Sequence, residues 1–190
     1  MNIDSLFINT PRHIMPLLDQ TSKMDLIDLY NGNLRAKVEN IYGGETVLLK
    51  KTSNYLSLKT TASGNWTIRI FRTNNDIPII LCAHSVEADG KRTELNCFNV
   101  NWSVLKMQLP HPSKNSFLKK GSSYIPINQQ ELVSSILELP IEVVINDKDD
   151  TLVYQLSLSG LAKDKQQLYK EMICPIVYRW NGVDFISVKQ

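Results

Sequence analysis

The chain has 190 residues, 43% of them hydrophobic and 21% charged, which matches globular domains and excludes a disordered composition. Lys and Arg number 21 against 19 Asp and Glu, split 11 to 10 up to residue 95 and 10 to 9 beyond it, so no basic stripe marks a nucleic-acid surface. Eight Gly and eight Pro without a period exclude collagen-like repeats, and no apolar run approaches the roughly 18 residues of a membrane-spanning helix.

The first residues, Met1 to Phe7, have neither a basic region nor an apolar core, so they do not read as a signal peptide. Residues 4–18 and 22–30 read as short helices, the first interrupted by Pro11 and Pro16. Ser22 with Asp25 resembles a capping box, and Asn31-Gly32 stops the second helix. A run of strands follows. Gly43-Gly44 and Ser63-Gly64 punctuate it, Leu56 and Leu58 share one face, and so do Trp66, Ile68 and Ile70. The segment Pro78–Ala83 is apolar on both faces and predicts a central strand that starts at Pro78. A type I′ turn at Asp89-Gly90 would pair Glu87 with Arg92 and Val86 with Thr93, and would set Cys82 opposite Cys97.

Residues 107–127, with Pro110, Pro112, Gly121 and Pro126, read as the longest irregular connection. The expectation is a single domain over 1–190, with a subdivision into 1–109 (helices and meander) and 128–190 (helix, strands and hairpin). Asn128 with Glu131 opens a third helix ending near Leu139-Pro140. The runs Ile141–Ile145 and Leu152–Leu158 flank the polar turn Asn146–Asp150, with Gln155, Ser157 and Ser159 on the wetter face of the second. A fourth helix covers about 162–172. A type I′ turn at Asn181-Gly182 would pair Trp180 with Val183, Arg179 with Asp184 and Tyr178 with Phe185. The fold class expected is α+β: a mostly antiparallel, meandering sheet built from hairpins, with a few short helices on one face.

Chemistry is sparse. His13, His84 and His111 lie in no metal-ligand spacing, and no nucleophile elbow, phosphate loop or calcium loop is present. No catalytic, cofactor-binding or metal-ligating residue is therefore expected. Two sequons, Asn65-Trp66-Thr67 and Asn101-Trp102-Ser103, fall in strand-like segments and read as chance. Cys82, Cys97 and Cys174 are an odd count in apolar settings, which predicts buried, reduced thiols, with Cys82 and Cys97 the pair to check for a bridge. The aromatic stripe Tyr178, Trp180 and Phe185 reads first as core and second as a candidate binding surface.

The segments Met24–Tyr30, Ala36–Asn40 with Gly43-Gly44, Tyr55–Leu58 and Tyr178–Gly182 resemble an uncharacterised family of Bacteroidales secreted or envelope proteins, a domain of unknown function. The resemblance spans roughly residues 4–188. It implies a leader and a periplasmic or exported location, with the cytoplasm kept as the alternative because the chain starts without one. It carries no activity and no site residue. The leading functional expectation is a non-catalytic binding or assembly module whose partner is an unknown protein or apolar ligand, without nucleic acid. The runner-up is a carrier holding an apolar ligand between a curved sheet and helices. Third comes a hydrolase using dispersed acids such as Asp25, Asp28 and Asp184.

Overall fold

The computed structural model describes residues 2–119 and 130–188. The chain forms two compact units: Met1–His84 with Leu95–Met107, and Ser85–Glu94 with Gln108–Gln190. Each unit is built on one antiparallel sheet, so the α+β architecture consists of two meanders rather than one.

The first unit opens with α1 (Ile3–Ile8) and α2 (Gln20–Asn31). The helix expected over 4–18 stops at Ile8. Pro11 starts a chain of turns instead, its carbonyl accepting from the amides of Ile14 and Met15. The α2 cap is Asp19, whose Oδ1 accepts from the Ser22 amide at 2.7 Å, so Ser22 lies inside the helix rather than capping it. Gly32 ends α2 as expected.

Six strands follow in sequential order: β1 (Lys37–Glu39), β2 (Glu45–Lys51), β3 (Tyr55–Lys59), β4 (Gly64–Arg72), β5 (Pro78–Ala88) and β6 (Gly90–Phe98). Asn40 organises the β1–β2 loop, its Oδ1 accepting from the amides of Tyr42 and Gly44. A register shift between Leu48 and Lys50 leaves Leu49 as the extra residue of a bulge, 56% exposed. Leu48, Leu56, Leu58, Ile68, Ile70, Ile80 and Cys82 point into one core, which α1, α2, Phe98 and Trp102 fill. Period-two alternation thus delivers its apolar face to the helices. β5 starts at Pro78 and lies between β4 and β6, one strand in from the edge rather than at the centre.

The second unit has a four-stranded sheet of β7 (Ile141–Ile145), β8 (Thr151–Leu156), β9 (Ile176–Trp180) and β10 (Phe185–Val188), paired in that order. The helices α3 (Gln130–Glu138) and α4 (Lys163–Met172) each bury one residue, Ile136 and Tyr169. The expected opening of α3 at Asn128 falls outside the described residues. The connection expected to be irregular contains one short helical turn where it is described. A 3₁₀ turn at Lys114–Phe117 buries Phe117 completely, and Leu118 bridges Ile173. The polar turn between β7 and β8 is held by its own side chains, Asn146 capping Lys148 and Asp149 capping Thr151.

Both predicted type I′ turns are corrected. At the terminal hairpin Phe185 pairs with Trp180 and Ser187 with Tyr178, so the loop is Asn181–Asp184, two residues longer than expected. Only Gly182 has positive φ (94°) there. Asn181 keeps ordinary φ because its Oδ1 accepts from the amides of Val183 and Asp184, which closes the loop without a mirror-image turn. Arg179 consequently faces Ile186, and Asp184 remains in the loop. In the β5–β6 hairpin Asp89 alone separates the strands, and only Gly90 has positive φ (114°). Thr93 meets Ser85 through a hydroxyl bond of 2.8 Å, where the predicted register would have set it against Val86.

Candidate functional site

The residues singled out from the sequence do not converge. Trp180 and Phe185 are 7% and 9% exposed, with ring centroids 5.1 Å apart; Tyr178 is half-buried, edge-on to Tyr154 at 5.4 Å. Burial pushes the Tyr154 hydroxyl up, with Tyr178 adding to the effect. Val183, expected on the same core face, is 59% exposed in the loop. Asp25 and Asp28 are exposed on α2, and Asp184 is exposed in the β9–β10 loop. His84 stacks on Trp66 at 4.8 Å, whereas His13 and His111 face solvent. Among the described residues no group of three or more His, Cys, Asp or Glu could hold a metal ion. The second sequon is not in a strand: Asn101 sits exposed in a turn.

The three cysteines are free. Cys82 and Cys97 are buried as expected, and burial pushes both thiols up, Cys97 to about 11. Cys174 differs from expectation in being half-buried, with Phe117 supplying both a carbonyl for its amide (2.8 Å) and a weak contact for its sulfur (3.7 Å).

The second unit contains a half-open cleft of about 520 Å³, built from four separate stretches of chain. The β5–β6 tip supplies Glu87 and Lys91, β7 supplies Glu142, and β8 with the residues after it supplies Gln155 to Ser159. The end of α4 and the approach to β9 supply Lys170, Ile173, Cys174 and Pro175. A fixed polar network lines one part. Lys91 Nζ lies 2.6 Å from Glu142 Oε1, Gln155 Nε2 donates to Glu142 Oε2 at 2.9 Å, the Lys91 amide donates to Ser157 Oγ, and Ser157 meets Ser159. Gly90 makes this approach possible, because a Cβ there would sit 2.6 Å from Pro140 Cγ.

Sequence reasoning missed this cleft. Gln155, Ser157 and Ser159 were legible as the wet face of a strand, and the cleft draws part of its polar lining from that face. The charges around them come from separate segments, Lys91 66 residues from Ser157 and Glu142 13 residues from Gln155, so no local motif announces the site.

The family model for a protein of unknown function, DUF3256, matches residues 1–185. The chain belongs to this family. One similar solved structure is a domain of an uncharacterised protein from Porphyromonas gingivalis W83. The two share 18% identity and a TM-score of 0.80, over 99% of this chain and 98% of that one, which establishes the shared fold. Curated proteins give no match. The expected domain of unknown function is therefore shown, and its fold is shared with a Bacteroidales protein domain; among its described residues the DUF3256 chain shows no helix long and apolar enough to cross a membrane.

Proposed function

We propose that this DUF3256 protein is a non-catalytic binding module of the periplasm or cell envelope, which takes a small polar ligand in the cleft of its second unit. The observation that carries the reading is the Lys91–Glu142–Gln155 network beside an apolar lining of Leu156, Leu158 and Ile173. A concave site of this volume with a few fixed polar groups fits the general pattern of ligand pockets, roughly 300–1,000 Å³. Glu142 is already neutralised by Lys91, an arrangement suited to orienting a ligand rather than to moving protons. The compartment rests on the resemblance to secreted and envelope proteins.

Amide chemical-shift mapping with a mixture of small polar solutes tests the binding role. Perturbation of Lys91, Glu142 and Ser157 without chemical change to the solutes is expected. Turnover of a solute, or perturbation elsewhere only, would overturn it. Fractionation of native cells tests the compartment, with recovery in the cytosol the adverse result.

A second reading, an apolar-ligand carrier, draws on one feature of the first unit. The inner side of its sheet is filled by core, but Val47 and Leu49 line an outer cleft of about 620 Å³ with Ala62.

A further inference from the structure

We infer that the ligand of the second-unit cleft is a zwitterion, a free amino acid or a short peptide with both ends free, whose ammonium faces Glu87 and whose carboxylate faces Lys170. The inference rests on the cleft being the binding site proposed above and names its ligand class.

Four charged side chains line the cleft, and only two are mutually satisfied. Lys91 and Glu142 neutralise one another. Glu87 and Lys170, both exposed, form no side-chain ion pair or hydrogen bond with each other or with any other described residue. They are opposite in sign and share one cavity, yet lie too far apart for direct contact. An anion alone would answer Lys170 and meet repulsion from Glu87; a cation alone would face the reverse. An apolar molecule would answer neither. A molecule carrying both charges answers both, with charge-assisted hydrogen bonds at each end.

One further feature refines the ligand. Leu156, Leu158, Ile173 and Pro175 supply the apolar part of the lining, which favours apolar side chains on the ligand.

The test titrates the full chain by calorimetry with the tripeptide Ala-Leu-Ala, its N-acetylated form, its C-amidated form and free leucine. The free tripeptide is expected to bind, and either block should weaken it by about tenfold or more, the scale of one charge-assisted bond. In Glu87→Gln the acetyl block should cost nothing further, and in Lys170→Met the amide block should cost nothing further. Both residues are exposed, so neither substitution threatens folding. Leucine binding as tightly as the tripeptide assigns the site to free amino acids, and weaker binding assigns it to peptides. Equal binding of free and doubly blocked tripeptide overturns the zwitterion inference while leaving a binding cleft. If neither these probes nor any polar solute perturbs the cleft, both this inference and the binding-module reading fail.

Discussion

Phe185 stands directly opposite Trp180 in the β9–β10 ladder, their ring centroids 5.1 Å apart and their planes inclined at 54°. Both are buried, and the Trp180 amide also donates to Asp150 in the β7–β8 turn at 2.8 Å. The pair therefore ties the terminal hairpin to the rest of its sheet. Truncating Trp180 to Ala removes a large buried side chain and should cost about 3–5 kcal/mol in chemical denaturation. Val183→Ala, in the exposed loop, should change stability by less than about 0.5 kcal/mol. A nearly neutral Trp180→Ala would mean that the ring is accessible, and the stripe Tyr178, Trp180 and Phe185 would then become the better candidate surface.

The sequence carried the strand order and the faces well because both depend on local alternation. Leu56, Leu58, Ile68 and Ile70 reach the core as their period of two demands. Turn geometry was less legible. An Asn-Gly pair suggests two residues at positive φ, but the Asn181 side chain can cap two amides and lengthen the loop by two residues. An even shift preserves every side chain's face, so the aromatic face survived although its partners changed. The cleft was illegible for another reason. Glu87, Glu142 and Lys170 belong to three elements, and only tertiary folding makes them neighbours.

Lys23 is 2% exposed, with its Nζ donating to the Thr10 carbonyl at 2.6 Å. Burial lowers its pKa from the ordinary 10.5, against a smaller opposing pull from Asp19. The folded chain thus holds this proton less tightly than the unfolded chain does. The resulting penalty is complete below the folded pKa and is relieved as pH rises through it towards 10.5. Stability of the wild type relative to Lys23→Met should therefore increase from about pH 7 to about pH 10. Paired urea titrations across that range would reveal it, and a flat or falling difference would show that the folded ammonium is not destabilised.

The thiols should sort by environment. Cys82 and Cys97 are buried with their pKa values raised, so the nucleophilic thiolate is scarce as well as inaccessible. Alkylation of the folded protein at neutral pH should modify Cys174 first, and the other two only after denaturation. Mass spectrometry showing a native Cys82–Cys97 bridge, or equal labelling of all three, would contradict this.

Gly90 is the position where the cleft's construction can be broken with one atom. Its φ is 114°, a region that L side chains rarely adopt, and an added Cβ would lie 2.6 Å from Pro140 Cγ and 3.1 Å from Pro140 Cδ. A proline ring cannot swing aside as a flexible chain end would. Gly90→Ala must therefore either strain the backbone or push the hairpin tip away from Pro140. Backbone strain alone is worth about 1–3 kcal/mol, and the contact adds to it. Displacing the tip would also pull the Lys91 amide from Ser157 Oγ and its ammonium from Glu142, the two bonds that shape the cleft. Denaturation should show a loss of at least about 1 kcal/mol, with shifted amide signals at Lys91 and Glu142. Asp89→Ala, at the exposed neighbouring position, is the control and should stay within about 0.5 kcal/mol. A Gly90→Ala protein as stable as that control, with unshifted cleft signals, would show that the tip does not rest on Pro140 in solution.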